Sequence, residues 1–182
     1  MTTDSHTKNL ETLCRRAWGA YEYLRDHDLS EQSGTSKRLR VANLDKLRAR
    51  LVEELTELQG VVLGTHVHDG FPQDVVLEGY EVFYWAVCLV VAQGATYAEI
   101  DPATHLQNGF YQSLLPAEPL AELFQELISN IKGADDKQDV WQALELAGRA
   151  CAFAQLDPAQ LLERDLTEMS QKDYLAHYWR SL

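Results

Sequence analysis

The segment between Asp74 and Gly94 constrains the fold of this chain more than any other. With Val75, Val76, Leu77, Val82, Phe83, Trp85, Ala86, Val87, Leu89 and Val90, a helix here is apolar on nearly every side. Such a helix is stable in water only when other elements surround it, so the chain must build a bundle around it. The unbroken apolar run, residues 82–92, is too short to cross a bilayer, which takes about 20 residues. Two acids interrupt the helix: Glu78 and Glu81 lie three apart on one face, in line with Trp85 and Cys88.

The rest of the chain has helical rather than alternating periodicity. Leu10, Leu13, Cys14, Ala17, Tyr21 and Leu24 form the stripe of a first helix, and the polar residues 28–36, with Gly34, predict a loop. A second helix is expected over residues 39–63, with Leu47, Leu51, Leu55, Leu58 and Val62 facing the core and Gly64 ending it. Residues 65–73, bearing Gly70 and Pro72, predict a loop, and Asp74 an N-cap. Asp101-Pro102 opens a short helix, proline being suited to the first helical position. Further helices are expected over 119–131, 137–154 and from Asp157-Pro158 to the C-terminus. No strand pattern is visible. The expected fold is an all-α helix bundle in one domain spanning 1–182, with halves at 39–113 and 117–182.

A degenerate internal repeat is one reading of those halves. Trp85 and Ile100-Asp101-Pro102-Ala103 align with Trp141 and Leu156-Asp157-Pro158-Ala159 at constant offset, and Leu51, Glu53, Glu57 and Leu58 with Leu120, Glu122, Glu126 and Leu127. Ala134 and Lys137 then take the places of Glu78 and Glu81. The other reading is that Asp-Pro-Ala is a generic helix start.

Charge narrows the partners. With 28 acidic against 16 basic side chains the formal net charge is −12, which argues against nucleic-acid polymers, whose binding needs a basic surface. A small phosphorylated ligand remains compatible if cations gather locally or a metal is bound. Cys14, Cys88 and Cys151 are far apart, in apolar helical contexts and without a CxxC pair, so neither a disulfide framework nor a zinc site is expected. The polar residues 1–8 lack the apolar core of a signal peptide. The expected location is cytoplasmic, with no membrane partner.

The second helix carries Glu53-Glu54-Leu55-Thr56-Glu57. Relative to Leu51 the core residues fall within roughly 40° and Glu54 about 60° away, at the edge of the core stripe, with Glu57 beside it. Glu53 lies further toward solvent. A carboxylate at a core edge is costly unless paired, protonated or bound to a cation. Facing Glu78 and Glu81 across an antiparallel helix pair, these residues would make an oxygen-only cluster suited to Mg²⁺ or Mn²⁺.

Glu53-Glu54-x-x-Glu57 followed by Glu78-x-x-Glu81 and Phe83-Tyr84-Trp85 resembles the MazG-like family of all-α nucleoside triphosphate pyrophosphohydrolases, which includes phosphoribosyl-ATP pyrophosphatase and the helical dUTPases. The similarity covers about residues 39–108. It implies a MazG-like four-helix core, either from a homodimer or from a pseudo-dimer within one chain. It further implies that Glu54, Glu57, Glu78 and Glu81 ligate Mg²⁺ while Glu53 orients or deprotonates the attacking water. The implied reaction releases pyrophosphate from a small nucleotide. A non-catalytic nucleotide-binding or regulatory protein on the same scaffold is the alternative. The sequence departs from the family in having Glu81 where aspartate is usual, and in lacking the Lys and Arg that follow on the next helix, where Asn108 alone suits the pattern. Replacement cations are sought at Lys37-Arg38-Leu39-Arg40 through Lys46, Arg48 and Arg50, equally readable as a solvated face. Trp85 and Tyr84 are candidates to stack on a base, or core residues.

His66-Val67-His68-Asp69, between Gly64 and Gly70, is open to a metal-loop reading, or to a His-Asp pair with His27 and Asp135 or Asp136 as distant partners. Its loop setting favours a surface loop able to close over a substrate.

Overall fold

The computed structural model describes the backbone of residues 3–181 and the side chains of residues 9–181; the expectation of a leaderless N-terminus falls largely outside these side chains. The described chain is all-helical: α1 (Thr3–Asp26), α2 (Gly34–Arg40), α3 (Leu44–Leu63), α4 (Gln73–Ala92), α5 (Tyr97–Ile100), α6 (Pro102–Tyr111), α7 (Ala117–Asn130), α8 (Asp136–Ala154), α9 (Gln160–Ser170), a 3-10 turn (Asp173–Leu175) and α10 (Ala176–Arg180).

As its composition demands, α4 is the central helix, packed by α3, α8, α1, α9 and α2. Its length and mean hydropathy of 1.7 would suit a membrane span, but most of it is buried inside the bundle. Val82, Phe83, Ala86, Val87, Leu89 and Val91 have no exposed surface. Two helical hairpins make the core, α3 with α4 and α7 with α8; α3 packs on α7 and α4 on α8. The segment after each hairpin crosses over: α6 lies on α8, and α9 lies on α4 and α1.

The α6–α8 crossing depends on two glycines. A Cβ on Gly109 would stand 1.9 Å from the Glu145 carbonyl oxygen, and one on Gly148 would stand 2.0 Å from that of Leu106. Only glycine lets the backbones approach this closely.

One ion pair ties the hairpins together. Arg48 on α3 donates from Nε and Nη2 to the two carboxylate oxygens of Asp136 on α8, at 2.7 and 2.8 Å, and Gln93 after α4 donates to the same carboxylate at 3.0 Å. Arg48 also pairs with Asp45. The Arg48 hydrogen bonds hold Asp136 below the usual carboxylate range. Asp136 is thus an architectural partner of Arg48, and Arg48 is not a free phosphate ligand.

The helix expected over 39–63 is two helices. Asn43 accepts from the Lys46 backbone N–H at 3.0 Å and starts α3, while Ser33 accepts from the Ser36 N–H at 3.2 Å and starts α2 where a loop was expected. A Thr96–Glu99 capping box opens the short α5. Asp101 caps α6 with Pro102 behind it, as expected. The C-terminal helix is divided into α9, the 3-10 turn and α10, and Trp179 Nε1 donates back to the Met169 carbonyl at 3.1 Å across the bend.

Asp74 does not cap α4. It lies in the first turn, 1% exposed, and accepts the backbone N–H groups of His68, Asp69 and Gly70 at 2.9, 2.8 and 3.1 Å. Burial alone would raise its pKa, but the three donors hold it below the ordinary value. The 64–72 loop is thereby stapled to the start of α4.

Candidate metal centre

The α3–α4 pairing turns the two acid motifs toward each other. Glu54, Glu57 and Glu78 each offer a carboxylate oxygen, and these oxygens lie within 4.8 Å of one another. Glu54 and Glu78 are each 2% exposed and Glu57 is half-buried. Charge concentrated in so little solvent resists ionisation. Burial pushes the Glu54 carboxyl up to about 7; Arg50 offsets part of this, while Glu81, Glu57 and Glu78 add to it. Burial also raises Glu78, and Glu57 raises it further, against the two histidines nearby. A divalent cation would relieve this repulsion, and an oxygen donor set of this kind suits Mg²⁺ or Mn²⁺.

Glu81 stands outside this trio. Half-buried, it borders a cavity of about 690 Å³ between α4, α9 and the basic end of α2. Burial raises its carboxyl, with Trp85, Arg50 and Arg38 pulling the other way.

Arg50 connects the two regions. Its guanidinium pairs with Glu53 and Glu54 and lies over the Trp85 ring, 4.9 Å from the centroid. Arg38 lies over the same ring at 5.3 Å and donates to Tyr84 Oη at 3.1 Å. Trp85 is 7% exposed and borders the cavity. It is therefore both a core residue and part of the cavity wall. Glu53 is exposed beside Arg50, outside the trio as the helical geometry predicts.

The other expected contacts fall elsewhere. Lys46 and Asn108 are exposed on α3 and α6 and border no part of this cavity. Arg40 pairs with Asp28. Among the described residues, the cations that border the cavity are Arg38, Arg50 and Arg164 of α9. The α9 segment, expected as a helix but not as part of the site, also supplies Asp165. Burial pushes the Asp165 carboxyl up to about 6, although a hydrogen bond with Tyr80 lowers it. Its acid and arginine sit on an otherwise ordinary amphipathic helix, so no local pattern marks them.

The 64–70 loop lies at the surface, as expected, with Val67, His68 and Asp69 exposed, yet its histidines reach the trio. His66 Nε2 is 3.3 Å and His68 Nε2 is 3.4 Å from Glu78 Oε1, and the two imidazole nitrogens are 2.9 Å apart. His66 also stands 3.9 Å from Glu57. Neither His27, stacked on Tyr23, nor Asp136 joins them. Two histidines at i, i+2 ahead of a buried Asp74 are the signal that was present. Its meaning depends on the staple that Asp74 makes.

The chain matches no protein-family model, no curated protein and no solved structure.

Proposed function

We propose that this chain is a cytoplasmic, Mg²⁺-dependent nucleotide pyrophosphohydrolase, releasing pyrophosphate and a nucleoside monophosphate. The observation that carries the reading is the convergence of the Glu54, Glu57 and Glu78 oxygens within 4.8 Å, with Glu54 paired to Arg50, which borders a cavity large enough for a nucleoside. The cation held by those glutamates would neutralise phosphate charge and lower the pKa of a bound water.

The remaining roles belong to the protein's own side chains. Arg38 and Arg50 face the phosphates from the cavity rim, and Trp85, Tyr80 and Tyr84 border the space for the base and sugar. Arg50 holds the Glu53 and Glu54 carboxylates in place. Glu53 takes the proton of the attacking water. The low-dielectric wall strengthens each of these contacts with the anionic substrate.

The test is a panel of nucleoside triphosphates with Mg²⁺, read as pyrophosphate release. Glu54→Gln and Glu78→Gln are expected to lower turnover at least a hundredfold with folding intact. No turnover of any nucleotide, together with no Mg²⁺-linked rise in melting temperature, would sink the enzyme reading. Two observations favour a second reading, a nucleotide-binding protein without turnover: Glu81 lies outside the trio and Arg50 is already engaged by two glutamates. That reading expects nucleotide-dependent stabilisation with no product.

A further inference from the structure

We propose a second divalent-cation position, formed by His66, His68 and Glu78 and taking a borderline transition metal of the Co²⁺ or Zn²⁺ class. Glu78 is its link to the Glu54–Glu57 position, and in that respect alone it rests on the proposed cation site above.

The donor spacings carry the proposal. His66 Nε2, His68 Nε2 and Glu78 Oε1 are separated by 2.9, 3.3 and 3.4 Å. For metal–ligand bonds of about 2.1 Å, neighbouring donors stand about 3.0 Å apart in an octahedron and about 3.4 Å apart in a tetrahedron. The separations of 3.3 and 3.4 Å fall in this range and that of 2.9 Å lies just below it. A hydrogen-bond network explains them less well, because the contact between the two Nε2 atoms holds one proton at most, and one imidazole must then present a lone pair. Among the described residues, the two imidazoles are the only cation-forming groups within ion-pair distance of Glu78, which is 2% exposed. A buried carboxylate so placed gains most from a dication.

The loop is built to hold the rings there. Asp74 fixes the backbone at His68, Asp69 and Gly70. On the other side, the Gly60 carbonyl accepts from the N–H groups of Thr65 and His66 at 2.8 and 3.1 Å. A Cβ on Gly60 would come within 2.7 Å of His66 Cβ, so the absence of a side chain there lets His66 lie against α3. Donor chemistry then selects the metal. Imidazole suits Zn²⁺, Co²⁺ and their neighbours, whereas Mg²⁺ prefers oxygen and keeps its waters.

Co²⁺ tests this directly, since its visible absorption reports nitrogen ligation without any turnover. Added to metal-free protein, Co²⁺ is expected to bind and give a ligand-field band, as is Co²⁺ added with Mg²⁺ present. His68→Gln and His66→Ala are each expected to weaken Co²⁺ binding at least tenfold and to change the band, while the Mg²⁺-linked rise in melting temperature persists. The His68 side chain is 52% exposed, so its glutamine variant should fold, and circular dichroism checks that it does. Unchanged Co²⁺ affinity and band in both variants would overturn the proposal, as would a band that Glu54→Gln abolishes and His68→Gln spares. A Co²⁺ site that depends on both histidines in a protein inert toward every nucleotide upholds this proposal and defeats only the enzymatic one.

Discussion

Glu54 shows how a residue's position at a core edge becomes a thermodynamic signature. Its carboxyl is raised from the ordinary 4.5 to about 7 by burial and by neighbouring glutamates, despite Arg50. The folded state therefore holds the proton more tightly than the unfolded chain. The associated stability is fully present below pH 4.5 and is lost as pH rises through 7. Glu78 and Glu81 shift in the same direction. Asp74 and Asp136 are lowered below their ordinary 3.8, so their contributions fail only in stronger acid, outside this window. The metal-free protein is accordingly expected to melt several degrees higher at pH 5.5 than at pH 8. One kcal/mol corresponds to about 2–4 °C at this size. Glu54→Gln should raise the melting temperature at pH 8 and flatten the profile, since it removes a charge that is repelled and buried. A wild-type melting temperature that climbs steadily from pH 5.5 to 8 would contradict the assignment.

Between elements, the closest approach lies where α6 crosses α8. Gly109 and Gly148 each place their missing Cβ against a carbonyl oxygen of the other helix, Glu145 and Leu106 respectively. Backbone cannot yield as a flexible side chain does, so Gly109→Ala and Gly148→Ala should each destabilise by about 3 kcal/mol or more, with the overpacking range as the floor. Urea midpoints measure this, and a loss below about 1 kcal/mol in either variant, under the usual overpacking cost, would mean the helices can part freely. The sequence conveyed the helices themselves but not this crossing. Periodicity marked α3, α4 and α8, and Asp101-Pro102 marked the start of α6, because those signals are local. It ran past the break at Val41, since Leu39 and Leu47 keep the same apolar rhythm across Asn43. Asp74 was misassigned for the same reason: an N-cap is the commonest use of an aspartate there, and its three loop donors come from residues whose placement depends on the whole α3–α4 hairpin. The glutamates were legible because three of them sit on helix faces that helical geometry alone brings into register. The histidines were not, because a loop has no period.

At the scale of the whole molecule, two helical hairpins pack into one all-helical bundle. The α3–α7 and α4–α8 contacts join the two hairpins, and the trio arises entirely on the first. The hairpins are held in relation by apolar packing and by Arg48, whose guanidinium reaches Asp136 across the interface. Two roles for Arg48 therefore have opposite consequences. As a phosphate ligand, its loss would raise KM and leave stability alone. As a link between hairpins, its loss leaves Asp136, 9% exposed, with only Gln93 as donor. Removing one partner of a buried ion pair costs about 3–5 kcal/mol. Arg48→Ala is expected to lower the urea midpoint by an amount in that range, while the Mg²⁺-linked stabilisation and any KM for nucleotide stay within twofold of wild type. Arg48→Ala with Asp136→Ala should recover part of the loss, since no buried charge is then left unpaired. A double variant no better than the single one, or a KM raised tenfold without loss of stability, would assign Arg48 to the site instead of to the frame that positions it.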